Sequence, residues 1–503
     1  MGLQNKRVLV VGLGKSGLAA ARFLKARGAR VTVSDARPAT LIAELPQLLE
    51  EGFVVESGSH GLLTFRRQDL IVVSPGVPMN VPELVTVRAM GAHIIGELEL
   101  GAQFLEGEVV AITGSNGKTT TTTLVGEILR ASGSPTLVGG NIGLPVTEMV
   151  AESVALAGGA GGDADSSAPL RNDNPNNKDN PNNKGKEAGV SPAAQEDNAA
   201  KASTVWNVLE VSSFQLETVE TFRPRIALVL NITPDHLDRH GSFEAYAAAK
   251  ARITAFQTAD DFLVLNAEDV EAQKVAAKSR AQIFWFSAKR RVKQGAFVHG
   301  DSIFFTPGEN AQPEPVLPVA EIGLAGAHNV ENVLAAVCAA RLAGVPGEVI
   351  RSAVATFKGV EHRLEFVREL DGVRYFNDSK ATNVDATVKA IEAFPGGIHL
   401  ILGGKDKDSD YTTLASLLRE RVRTVITIGS AAEKIERQLA GVVKIERAET
   451  MERAVPMARE LAVAGDTVLL APACASFDQF ANYEQRGRVF KELVQSLQAL
   501  PRE

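Results

Sequence analysis

Long apolar runs, paired cysteines and an excess of positive charge are all missing from this 503-residue chain. Its apolar runs, such as Ile226 to Leu230, fall far short of the ~18 residues that a bilayer span requires, so no membrane insertion is expected. Two cysteines, Cys338 and Cys474, are too few for a disulfide framework or a cysteine metal site, and they suit a reduced, cytoplasmic setting. A net charge of −7 argues against general nucleic-acid binding, and anionic ligands must then be met by local donors. A strand pattern, Arg7-Val8-Leu9-Val10-Val11, follows a short polar start where a cleavable signal would carry its apolar stretch, so export is not expected.

What is present is a soluble composition, 45% hydrophobic and 22% charged, on a chain too long for one core. At roughly 150 residues per domain it predicts three. Short β-branched runs alternate with helical patterns, the rhythm of α/β domains built on mostly parallel sheets. The expected divisions are 1–98, 99–357 and 358–503. Inside the second, 152–203 loses periodicity and repeats DNPNNK at 173–178 and 179–184, the composition of a disordered insertion.

Polar and glycine-rich blocks follow strand after strand. Gly12-Leu13-Gly14-Lys15-Ser16-Gly17 follows the first strand and opens a helix to about Arg27, with Asp35 ending the next strand. Glycines there admit a pyrophosphate and the helix start favours its charge; a tight packing turn is the plain alternative. Thr113-Gly114-Ser115-Asn116-Gly117-Lys118-Thr119-Thr120 follows the strand Val109 to Ile112. Ile112 stands where the strict phosphate-loop pattern has its first glycine, yet backbone amides, a lysine and a Mg²⁺-reaching hydroxyl all remain. Glu210 ends the strand from Val205, and Asn231 to His236 follows Ile226–Leu230. In a parallel sheet these carboxyl ends share one edge, so metal ligands could sit beside the anion cradle, although a lone strand-end acid or histidine is commonly a cap. In the third region His362-Arg363, Asn377 to Asn383, Gly403 to Lys407 and Ala473 to Asp478 again stand mostly at strand ends. From the residues alone this gives an ATP-using transferase or ligase.

The order of these blocks resembles the Mur ligases over nearly the whole chain outside the insertion. The carriers are TGSNGKTT from Thr113, GGNIGLP from Gly139, EVSSFQLE from Glu210, NITPDHLDRH from Asn231, YAAAK from Tyr246, HRLE from His362, NDSKATN from Asn377 and ACASFDQFANYEQRG from Ala473. The resemblance implies a Rossmann-like N-terminal domain, a central phosphate-loop domain and a Rossmann-like C-terminal domain. It also implies a monomer that adds D-glutamate to UDP-N-acetylmuramoyl-L-alanine through an acyl phosphate, in peptidoglycan precursor synthesis.

The roles it implies can be carried over position by position. Gly114, Ser115, Asn116, Gly117, Lys118, Thr119 and Thr120 would bind ATP, together with Asn332, Arg363 and Asp378. Thr119, Glu210, His236 and a carbamylated Lys250 would hold Mg²⁺, two ions in all, and Lys118, Glu210, His236 and Lys250 would be catalytic. The UDP precursor would meet Gly14, Lys15, Ser16, Asp35, Arg37, Ser74, Pro75, Gly76, Asn141 and His236. D-Glutamate would meet Lys380, Thr382, Lys407, Ser476, Phe477 and Tyr483, since two carboxylates need cationic and hydroxyl donors. Ala36 lacks the hydroxyl that some relatives carry as Thr, and Tyr483 replaces their Phe.

Without the resemblance, Lys250 in its alanine-rich helix reads as a solvated lysine. Other readings of the chain are a sibling or folylpolyglutamate-type ligase adding another amino acid, a nucleotide-binding regulator without turnover, and an NAD oxidoreductase. ACASFDQF with GGKDKD favours the D-glutamate adder. Lys118, Glu210, His236 and Lys250 speak against a regulator, and an oxidoreductase gives the phosphate loop no role.

Overall fold

In a computed structural model, residues 2–58, 61–159, 204–324 and 326–498 are described. They form three sheets in chain order. The first is wholly parallel, with strands Val54–Ser57, Arg30–Asp35, Arg7–Val11, Leu70–Val73 and Ile94–Gly96 in that spatial order. Its glycine turn is sterically required. Gly12 has φ +90°, and a Cβ on Gly17 would lie 1.9 Å from the Gly12 carbonyl oxygen, so only glycine lets the following helix Lys15–Ala26 pack this close.

The second sheet has nine strands. Thr136–Gly140, Trp206–Glu210, Glu108–Thr113, Ile226–Val229, Phe262–Asn266, Gln282–Ser287 and Gly295–His299 run parallel in that spatial order. Ser302–Thr306 and Glu314–Pro318 then add antiparallel. The parallel strands are apolar along their length because helices cover both faces. Lys118–Ala131, Ala327–Leu342 and Gly347–Thr356 bury one face around Ile112, Leu228 and Phe284, and the other closes over Ala111, Leu209 and Val229.

The third sheet orders Glu365–Leu370, Val373–Asn377, Thr467–Leu470, Ile398–Gly403, Val422–Ile428 and Lys444–Glu449, with only the first pair antiparallel. The α/β class and parallel-rich sheets are as the sequence predicts. The antiparallel edges depart from its strand–helix rhythm, because a hairpin reverses direction in a few residues and needs no crossover helix.

The first residues of the expected insertion belong to a helix. Residues 152–159 continue the helix Val146–Gly159, which buries Met149, Val150 and Ser153. The remainder of the insertion, 160–203 with both DNPNNK repeats, lies outside the described residues. No helix among the described residues is long and apolar enough to cross a membrane.

Candidate active site

The carboxyl edges of all three sheets face one cleft of about 710 Å³. At its centre is the phosphate loop. Gly117 has φ +84°, and a Cβ there would come within 2.2 Å of Asn332 Oδ1, so the loop and the helix bearing Asn332 approach as closely as glycine permits. Asn231 Oδ1 accepts from the Asn116 amide at 2.8 Å, and Ser115 Oγ both donates to the Thr233 carbonyl and accepts from the Thr233 amide. The loop is therefore fixed by the segment after the neighbouring strand.

Lys118 Nζ donates to the Gly114 and Ser115 carbonyls at 2.8 and 3.0 Å. Burial lowers its pKa, with Glu210 opposing. Thr119 Oγ1 donates to Glu210 Oε2 at 2.7 Å, and Asn141 Nδ2 donates to Glu210 Oε1 at 2.8 Å. Burial pushes the Glu210 carboxyl up, but Lys380, Lys118 and these two hydrogen bonds outweigh it and keep it below the usual glutamate range. Lys380, from the third domain, donates to Thr119 Oγ1 at 2.6 Å. Burial brings Lys380 down to about 8.

Lys250 is not a solvated helical lysine. It is 2% exposed, and its Nζ donates to the Gly114 carbonyl at 2.7 Å, the same oxygen that Lys118 uses. Helix Phe243–Ala251, capped by the Ser242 hydroxyl, places Tyr246 and Lys250 four residues apart on one face. The Tyr246 hydroxyl meets Ser115 Oγ at 2.9 Å, so the face lies under the phosphate loop. Burial and then the Lys118 charge hold the Lys250 amine well below the ordinary lysine range.

His236 lines the cleft with φ +52° and its ring edge-on to Phe214 at 5.0 Å. Arg363 is flanked by two left-handed non-glycine residues, His362 at φ +65° and Leu364 at +43°. That costly backbone turns a buried segment so that the guanidinium joins the cleft beside Asp378. Burial raises the Asp378 carboxyl to about 6, with Arg363 opposing.

Most of the residues nominated from sequence line this cleft: Gly14, Lys15, Ser16, Ser74, Pro75, Gly76, Ser115, Asn116, Gly117, Lys118, Thr119, Asn141, Glu210, His236, Asn332, Arg363, Asp378, Lys380, Thr382 and Tyr483. Others are not among the residues that line it. Asp35 accepts from the Leu13 amide at 2.7 Å and pairs with Arg37, whose Nη2 donates to the Leu13 carbonyl, so this pair braces the glycine turn. Burial raises the Asp35 carboxyl, but Arg37 and the two amides bring it down to about 2. Gly114 presents its carbonyl to the two lysines, and Thr120 is buried in the following helix. Lys407 and Phe477 are exposed, the latter at 68%, and Ser476 is buried. Their two loops are joined by reciprocal backbone bonds between Lys405 and Ala475.

Several groups in the cleft or bonded to its lining segments were not singled out from sequence. His328, held down to about 4 by burial and the Arg363 and Lys389 charges, lines the cleft with Glu331 and Lys389. Asp385 bonds Asn116 across the domain boundary. Arg486, fully buried, donates to the Ser379 hydroxyl and carbonyl and to the Cys474 and Ala475 carbonyls, tying the Asn377–Thr382 segment to the Ala473–Ser476 segment. A lone Asp or Glu on a helix carries no pattern, but Arg486 lies inside the block from Ala473.

Three α/β domains whose carboxyl edges meet over a phosphate loop, with a buried carboxylate and hydroxyl beside it, define a nucleotide-using enzyme of the phosphate-loop class. Family models match in three consecutive stretches: the Mur ligase MurD-like N-terminal domain at 6–96, the Mur ligase middle domain at 112–340 and the Mur ligase glutamate ligase domain at 362–474. The chain belongs to the Mur ligase family. It is 59% identical to a UDP-N-acetylmuramoylalanine--D-glutamate ligase of Acidobacterium capsulatum over 98% of this chain and 97% of that one. A protein of the same name from Koribacter versatilis is 54% identical over 99% of both chains. Among solved structures, UDP-N-acetylmuramate-alanine ligase MurC from Thermotoga maritima has a TM-score of 0.55 at 18% identity, covering 98% of this chain and all of that one. A pseudomurein peptide ligase type C from Methanothermus fervidus matches at 0.55 and 20%, with the same coverage. Both share the fold.

Proposed function

We propose that this Mur ligase joins D-glutamate to UDP-N-acetylmuramoyl-L-alanine at the expense of ATP, acting as a cytoplasmic monomer in peptidoglycan precursor synthesis. The observation that carries the reading is a single cleft. The first domain's Gly14–Ser16 turn lies in it, the phosphate loop lies at its centre, and Lys380 of the third domain reaches Thr119 across it.

A free carboxylate is a poor electrophile, so the alanyl carboxylate takes the γ-phosphoryl group: one P–O bond forms and the bond to ADP breaks. The D-glutamate amine then attacks the carbonyl carbon, a C–N bond forms, phosphate leaves and the amine releases a proton. Lys118 and the loop amides hold the ATP phosphates, Arg363 adds positive charge, and Asn332 and Asp378 take the adenosine side. Lys380, Thr382, Lys407, Ser476, Phe477 and Tyr483 take the amino acid.

The donor set fits a hard cation. Glu210 and Thr119 already attract the Lys380 ammonium, and carboxylate and hydroxyl oxygens are what Mg²⁺ selects. Thr119 and Glu210 would hold one ion, and His236 with a carbamate on Lys250 a second. Bound there, Mg²⁺ supplies charge neutralisation to the transferred phosphoryl group. Lys250 supports the carbamate because a buried amine held below its usual range is free to add CO₂, with loss of one proton.

The test is phosphate release from ATP with UDP-N-acetylmuramoyl-L-alanine and a panel of amino acids. Stimulation by D-glutamate is expected, and stimulation by a different amino acid alone would overturn the assignment. Lys118→Ala is expected to lower turnover at least ~1,000-fold with precursor affinity within about threefold, since the lysine serves ATP alone.

A further inference from the structure

The block GGNIGLP places Asn141 against Glu210, and two tethers from the first domain's side hold that loop in place. One is direct: Lys15 Nζ donates to the Gly143 carbonyl at 2.5 Å. The other comes from the linker between the first and second sheets. Strand Ile94–Gly96 runs straight into the helix Glu97–Ala102, whose residues Glu97 through Gly101 are buried. Glu97 is wholly buried, and its Oε1 accepts from both the amide and the hydroxyl of Thr147, each at 2.7 Å.

Thr147 lies in the first turn of the helix Val146–Gly159, where amides have no partner within the helix. The loop ends at Pro145, one residue before that helix. Its geometry is closed by Gly140 donating to the Leu144 carbonyl and Asn141 donating to the Glu210 carbonyl, both at 2.8 Å. Glu97 thus fixes the C-terminal stem of the loop while Lys15 fixes its tip.

Two independent observations show that this contact is built in. A Cβ on Gly101 would lie 2.7 to 2.9 Å from Val146 and the Thr147 amide, so the linker helix meets the loop's helix at backbone contact, the distance Glu97 needs to reach Thr147. The second Glu97 oxygen, Oε2, has no partner among the described residues. Glu97 also borders a narrow cavity lined by Ser74, Pro75, Gln215 and Arg239, directly behind the Ser74–Gly76 segment of the cleft. A buried carboxyl with one idle oxygen is an expensive way to fasten a helix, and an apolar contact would hold the two helices without that cost. What the carboxyl adds is a fixed position for the Thr147 end of the loop relative to the first domain.

We infer that Glu97 is a positioning residue for the precursor. Through Thr147 it registers the Asn141 loop of the central domain against the first domain, so that both halves of the precursor site face each other before the precursor arrives. The inference rests on the function proposed above.

The test uses the full chain and all three substrates, each titrated with the other two saturating. Glu97→Ala is expected to raise KM for UDP-N-acetylmuramoyl-L-alanine at least ~10-fold, with KM for ATP and for D-glutamate and kcat within about threefold. Glu97→Gln keeps an acceptor for Thr147 and is expected to return the precursor KM to within about threefold of wild type. Thr147→Val removes the hydroxyl bond alone, is expected to raise the same KM at least ~5-fold with the other two within about threefold, and decides the question if Glu97→Ala does not fold. An unchanged precursor KM, an equal rise for all three substrates, or failure of Glu97→Gln to restore the wild-type value would overturn the positioning role. Absence of ligation in the wild-type chain with this substrate set would overturn the functional reading instead, so the two failures are told apart.

Discussion

Lys250 shows how little a side chain's type says about its role. In the sequence it is one lysine in an alanine-rich helix; in the fold its amine shares the Gly114 carbonyl with Lys118. Two ammonium groups on one oxygen repel, and burial penalises both charges. Lys250→Ala is therefore expected to lose at least ~1,000-fold in kcat, and acetate or formate added in trans to recover at least about tenfold by supplying the missing carboxylate oxygens. The assay is turnover with and without the acid. Near-wild-type turnover in the variant would remove the ligand role, and a wild-type Lys250 that carries no added ~44 Da of CO₂ under gentle conditions would remove the carbamate. Sequence pattern could not place this lysine, because helical spacing gives the face on which Tyr246 and Lys250 lie but not the loop beneath it. Lys118 and Thr119 were legible for the opposite reason: strand, glycine turn and helix are consecutive in the chain, and the chemistry depends on that local order.

At the scale of elements, the short helix Glu97–Ala102 fastens two parts of the central domain. Glu97 holds the start of Val146–Gly159, and Glu99 accepts the amides of Glu220, Thr221 and Phe222. The two acids differ in their response to pH. Burial raises the Glu97 carboxyl from 4.5 to about 7, whereas hydrogen bonds from Thr221 and Gln103 outweigh burial at Glu99 and hold it low. Glu148 also faces Glu97 and raises it further, and Glu217 and Arg239 line the adjoining cavity. A carboxyl raised by folding binds its proton more tightly in the folded state. Its contribution is complete below pH 4.5 and declines as pH rises to about 7. At about 1.4 kcal/mol for each tenfold, that amounts to about 3 kcal/mol. Denaturant midpoints of Glu97→Gln measured from pH 5 to 8 are expected to lack this decline, leaving the variant more stable than the wild type at pH 8. Parallel pH curves for the two proteins would refute it. None of this was legible in the sequence, where ELELGA carries no motif. The parallel strands were legible, since their β-branched runs end in polar blocks. The antiparallel pair Ser302–Thr306 and Glu314–Pro318 was not, because no motif marks it.

Across the whole molecule, the third domain is joined to the central one at the cleft by a few polar contacts. These are Lys380 with Thr119, Asp385 with Asn116, Asp385 with Thr233 at 3.4 Å and Asn383 with Asp235 at 3.4 Å. Contacts of this kind each contribute about 1 kcal/mol, weak enough for ligands to govern the arrangement. Asp385→Ala removes two of them and is expected to increase the radius of gyration of the ligand-free protein in solution scattering, while ATP with precursor restores the compact profile. An unchanged ligand-free profile would show that Asp385 does not hold the domains together.

The nine-stranded sheet has a further consequence at its outer border. Glu314–Pro318 is the last strand, and Pro315 and Pro318 lie opposite Phe304 and Ser302 in its pairing with the preceding strand. Proline has no amide hydrogen to offer, so two of the five positions on this margin supply no donor to another polypeptide. Wide sheets are open to runaway stacking while nascent chains are crowded together. Here the side away from the catalytic loops withholds two of its donors, which makes edge-to-edge addition of another strand less favourable without drawing on any residue that the chemistry needs.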